Sequence, residues 1–171
     1  MQINRLIFGG AELVDGEIVA LEFKIMVNNP KAIHFSSPTP VSEKISHHHA
    51  CVLYCAAYIY FKCSPLKVPS GNVQWLVRQS IEHLDEIELL VDSQKCSGFL
   101  WPLFITGCEA VDEDLRAKVA KYFDIRQTLG IANVPTARKV VEEVWRRRDE
   151  GASDVSWHEV MAELGIDILL G

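Results

Sequence analysis

From Cys51 to Phe61 the chain reads CVLYCAAYIYF, apolar at all 11 positions. A helix over this stretch is apolar almost all round and belongs inside a bundle. Ser46 is its expected cap, and Pro65 and Pro69 close it after about Cys63. Downstream, Val73, Leu76, Val77, Ile81, Leu84 and Ile87 recur at three- and four-residue spacing, which predicts a helix from Ser70 or Asn72 to about Val91 with one buried stripe. FLWPLFITGCEA (99–110) carries Pro102, tolerable only in a first turn, so its helix starts near Leu100. Asp112 opens EDLRAKVAKYFDIRQTL, and Gly130 ends it. Asn133 and Pro135 open a fifth helix with a cationic end, Arg146 to Arg148. Ser153 or Asp154 opens a last short helix, stopped by Gly165. The pattern predicts an all-α fold, a bundle or array of about six helices over 46–171.

Residues 1–45 read differently. EIVALEFKIMV (17–27) is rich in alternating and β-branched positions, Gly9-Gly10 marks a turn, and SSPTPVSEK (36–44) reads as a turn-rich linker. The expected organisation is an irregular or partly extended N-terminal arm and linker over 1–45, followed by a helical domain over 46–171.

Composition narrows the classes. The chain has 171 residues, 49% of them hydrophobic, enough to bury a core without staples. Its formal net charge of −6 leaves no surplus of Lys and Arg for non-specific phosphate binding. No apolar run reaches the roughly 20 residues that cross a bilayer, so no membrane role is expected. The first residues are too briefly apolar for a secretory signal. The five cysteines (51, 55, 63, 96, 108) form no C-x-x-C pair, and an odd number without a signal points to reduced thiols. A soluble intracellular domain is the expectation. There is no G-x-S-x-G, H-E-x-x-H or phosphate-binding loop, so neither an enzyme nor a cofactor is expected.

Two groups of residues are candidates for chemistry. His47, His48, Cys51 and Cys55 lie in HHHACVLYC; on a helix His47 and Cys51 are one turn apart and Cys55 follows on the same stripe. Imidazole and thiolate are zinc ligands, so this set defines the alternative reading, a small helical metal-binding protein or enzyme. The plainer reading makes the two cysteines small core residues, and the apolar run around them favours it. Trp101, Cys108 and Glu109 form a second set, an apolar wall and a polar anchor for an effector pocket; against it, Trp101, Phe104 and Cys108 suit a core. Glu109 falls near a helix C-terminus, where the dipole disfavours an acid, so it calls for a cationic partner such as Arg138. Trp145 and Trp157 lie on apolar stripes and are expected to lock the last two helices together. Arg146–Arg148, between acidic residues, reads as a solvated helix end.

LWPLFITGCEA (100–110), LGIANVPTARKVVEEVWRRRD (129–149) and W-x-x-V-M-x-x-x-G-I-D-I-L-L-G (157–171), preceded by the helix pair in 50–87, closely resemble one family. They look like the C-terminal part of the fungal-specific transcription factor domain, found in fungal zinc-cluster regulators. The resemblance covers about 125 of the 171 residues. It implies a helical regulatory domain, a nuclear location, and action in transcription through protein or effector contacts, with a protein partner or self-association. In that family a six-cysteine zinc cluster supplies DNA binding. Five cysteines cannot form one, so direct DNA binding by this chain is not supported.

Overall fold

The computed structural model describes residues 15–30, 33, 35, 37–90, 99–130, 132–153 and 155–168. The Gly9-Gly10 turn, His34, Cys96 and Asp154 lie outside the described residues. Among the described residues the fold is all-α, with no strand.

The helices are α1 (Asp15–Val27), α2 (Pro40–Cys63), α3 (Gln74–Leu90), α4 (Leu100–Cys108), α5 (Glu113–Thr128), α6 (Val134–Asp149) and α7 (Trp157–Glu163), with a 3-10 turn at Ser70–Val73 before α3. The six helices expected after residue 46 are all present. The expected extended segment at 17–27 is instead helical, because its half-buried positions, Ile18, Leu21, Glu22 and Ile25, fall at three- and four-residue spacing against α2. The joint is polar as well. Glu22 Oε1 accepts hydrogen bonds from Tyr58 Oη at 2.9 Å and Lys62 Nζ at 2.6 Å.

A second correction concerns the start of α2. Ser46 is not its cap; the helix begins six residues earlier, within the stretch read as a linker. Thr39 caps it, exchanging hydrogen bonds with Ser42 in a capping box, and Pro40 occupies the first turn, where its missing N–H costs nothing.

Helix α2 runs through the interior as its composition predicts. Cys51, Val52, Cys55, Ala56, Ile59, Tyr60 and Phe61 are buried, and α3 and α4 pack along it. The predicted stripe of α3 is buried throughout, from Val73 to Ile87. Ser80, on that stripe, shares a fully buried 2.9 Å hydrogen bond with Thr106 of α4. Gly107 lets α4 approach its neighbours: a β-carbon there would lie 2.9 Å from Val119 of α5 and 3.2 Å from Val141 of α6. Trp145 Nε1 then donates to the Gly107 carbonyl at 2.8 Å, tying α6 to the same turn. Gly130 and Gly165 take the left-handed φ of +72° and +61° that ends α5 and α7. Helix α7 starts after Ser156 rather than Ser153. It brings Trp157 against Phe104 and Tyr60, at ring-centroid distances of 5.2 and 6.1 Å.

Candidate functional site

Three helices end at one place. The last residue of α2 (Cys63), the residue after α4 (Glu109) and the last turn of α6 (Arg148) meet there, and the 3-10 turn and the loop into α7 close the sides. Between them lies an open cleft of about 370 Å³. Val68, Pro69, Val155 and Trp157 give it apolar walls, Ser64, Ser70, Ser153 and Ser156 supply hydroxyls, and Lys67 and Glu159 stand on its lips.

The floor is a polar hub built around one ion pair. Arg148 Nη2 donates to Glu109 Oε2 at 3.1 Å, with side chains only 13% and 8% exposed. The same guanidinium donates to the Cys108 carbonyl and, at 3.2 Å, to the Val155 carbonyl. Ser70 Oγ donates to Glu109 Oε2 at 2.5 Å. Gln74 Nε2 donates to the carbonyls of Ser70 and Glu109, both at 2.7 Å, while its Oε1 accepts from the Val111 N–H. A buried carboxylate is tolerated only when its charge and lone pairs are met in this way. The Cys63 thiol also donates to Glu109. Burial first, and the Glu109 charge second, push the Cys63 and Cys108 thiols above the ordinary range, so neither is a reactive thiolate.

Lys67 has φ of +53°, a left-handed backbone that side-chain-bearing residues rarely adopt. Burial, with the Lys67 charge adding to it, lowers His158 to about 4, so that imidazole is neutral at physiological pH.

Of the effector-pocket candidates, Glu109 lines the cleft and the other two do not. Cys108 is fully buried beneath it and contributes only its carbonyl to the hub. Trp101 is half-buried with its edge to Tyr60, at 6.1 Å, and the aromatic wall comes from Trp157 instead. The partner of Glu109 is Arg148, not Arg138; Arg138 sits on the outer surface, bonded to Asp124 and to Glu142. Arg146 and Arg147 pair with Glu143, Glu150 and Glu163, as a solvated helix end would, whereas Arg148 does not share that role. Its signal was periodicity: Val141, Val144 and Arg148 form one stripe of α6.

The metal candidates are divided among different partners. His47 Nε2 lies 3.6 Å from Cys51 Sγ, and its ring is edge-on to Phe35. His48 turns to α3, where its Nδ1 is 3.0 Å from Nδ1 of His83. Cys55 is fully buried in the core. Among the described residues no group of three or more His, Cys, Asp or Glu side chains is placed to hold a metal ion. The four residues therefore do not assemble into one centre, because successive histidines on a helix face different neighbours.

Residues 21–171 match the fungal specific transcription factor domain. The chain belongs to that family. It is 27% identical over 126 residues to the arginine metabolism regulation protein II of Saccharomyces cerevisiae, covering 72% of this chain and 14% of that protein. It is 28% identical over 143 residues to the trichothecene biosynthesis transcription regulator of Fusarium sporotrichioides, covering 77% of this chain and 31% of the relative. The chain thus spans under a third of the length of these curated relatives. No solved structure matches it. The family match begins at residue 21, within α1, so the cleft and the buried core fall inside the matched region.

Proposed function

We propose that this chain is a regulatory portion of a fungal transcription regulator, acting in the nucleus through effector and protein contacts rather than by catalysis or by touching DNA itself. The observation that carries the reading is the family match over residues 21–171, which takes in the second half of α1 and every later helix. Both curated relatives are regulators by name, one of arginine metabolism and one of trichothecene biosynthesis.

Two surfaces suit the two kinds of contact. The cleft over Glu109 and Arg148 is within the size range of small-molecule sites and combines apolar walls with a few placed polar groups. The outer face of α1 suits a protein contact, since Val19, Phe23, Met26 and Val27 are each more than half exposed along one side of the helix. Self-association through that face is the simplest form of such a contact.

The test is to fuse the chain to an unrelated DNA-binding module and measure transcription of a reporter carrying that module's site. The expected result is a change in reporter output relative to the module alone, altered when both cleft lips are charge-reversed (Lys67→Glu with Glu159→Arg). A fusion that is expressed and bound at the site but leaves the reporter unchanged, in both forms, overturns the proposal.

A further inference from the structure

The cleft lies where α2, α4 and α6 all present their C-terminal ends. Each end carries roughly half a negative charge from its aligned peptide dipoles. The floor adds the Glu109 carboxylate and one lip adds Glu159. Against these stand two cations, and one of them is already committed. Arg148 spends its amino groups on the Cys108 carbonyl, the Val155 carbonyl and Glu109. Lys67 and Glu159 are both exposed, so water and salt screen the two lip charges alike and far more than the buried Glu109 carboxylate. At the Cys63 and Cys108 thiols beside the floor, the Glu109 charge outweighs that of Arg148.

An acidic floor at three helix C-termini, with an indole on the wall of the cleft, suits one kind of guest. We infer that the cleft binds a small organic monocation, a primary ammonium on an apolar body, with its head between Glu109 and Glu159 and its body against Trp157, Val68 and Val155. This deepens the proposal that the cleft is an effector site and rests on it. Ser64, Ser153 and Ser156 also line the cleft, and a serine hydroxyl can accept from an ammonium. Lys67, which also lines the cleft, selects against a second positive charge on the guest.

Phenethylammonium and 3-phenylpropanoate share an aromatic body and a short stem but carry opposite charge. Titrating each into the full chain while following the Trp157 indole N–H by NMR separates the two signs. The Trp145 indole N–H, bonded to the Gly107 carbonyl, is the internal control. The expected result is saturable perturbation of Trp157 by the cation, with a Kd on the order of 1 mM for a probe of this size. Glu159→Gln should weaken it by about two- to fivefold, and Lys67→Gln should strengthen it by a similar factor. Both residues are on the surface, so the variants are expected to keep the fold, and unchanged Trp145 signals verify that. The inference is overturned if the carboxylate binds as tightly as the cation, if neither saturates, or if both variants bind the cation as the parent chain does. These outcomes are independent of the reporter: a fusion that regulates while the cleft refuses the cation removes the ligand class and leaves the regulatory reading standing.

Discussion

Nδ1 of His48 on α2 lies 3.0 Å from Nδ1 of His83 on α3. A hydrogen bond between two imidazoles needs one ring to accept, so at least one of them is neutral. Burial, the largest influence, lowers the pKa of His48 despite the attraction of Glu86, and burial likewise lowers His49, with Arg126 adding to it. His158 is lowered further, to about 4.

A histidine whose folded pKa lies below its unfolded value of about 6.5 stabilises the fold above that value, and the contribution is lost as pH falls toward the folded one. Resistance to urea is therefore expected to drop between about pH 6.5 and pH 4, measured as the midpoint at a series of pH values. His158→Gln should flatten that slope. A midpoint that stays level or rises on acidification contradicts the assignment.

The Glu109–Arg148 pair makes a sharp mutational prediction. Removing either charge alone (Glu109→Gln or Arg148→Met) leaves a buried, uncompensated partner and is expected to cost about 3–5 kcal/mol. The double variant should cost clearly less than the sum of the singles. Exchanging the charges of Glu109 and Arg138 should rescue nothing, since Arg138 is bonded to Asp124 and Glu142. Denaturant unfolding of the four variants measures this, and additivity in the first pair would refute it.

Gly107→Ala is the smallest change with a large expected effect. The new methyl group would sit 2.9 Å from Val119 and 3.2 Å from Val141, forcing α4 away from α5 and α6. A loss of about 1–3 kcal/mol is expected. It would be read as a fall in Tm together with a changed indole environment for Trp145, whose bond to the Gly107 carbonyl must lengthen.

On α1, Phe23→Ser should behave in the opposite way. Phe23 is 64% exposed, so stability should move by no more than about 0.5 kcal/mol. If the outer face of α1 mediates self-association, the concentration dependence of the sedimentation coefficient should weaken in the variant. An unaltered dependence would place the contact elsewhere.

The helical fold after residue 46 was legible because apolar spacing on α2 and α3 is regular and because Pro, Gly and Asn mark the joints. Two local errors had physical causes. In 17–27 the β-branched residues suggested extension, but packing of Ile18, Leu21 and Ile25 on α2 overrides local preference. At 36–44 two prolines suggested a linker, although Pro40 directly after Thr39 is also a helix-start signal. The candidate site was legible only in part. Glu109 announced itself as an acid at the wrong end of a helix, but Arg148 hid among three arginines, and which one turns inward depends on its stripe. Lys67, Ser70 and Trp157 come from separate stretches of chain and carry no shared motif.

The Arg148 guanidinium holds the end of α4 with one amino group and the loop before α7 with the other. The wall that carries Trp157 is therefore fastened to the body by Arg148, by the Arg147–Glu163 ion pair and by the tryptophan's own packing on Phe104 and Tyr60. A guest that displaces Arg148 would therefore loosen the end of α4 and the loop before α7 together.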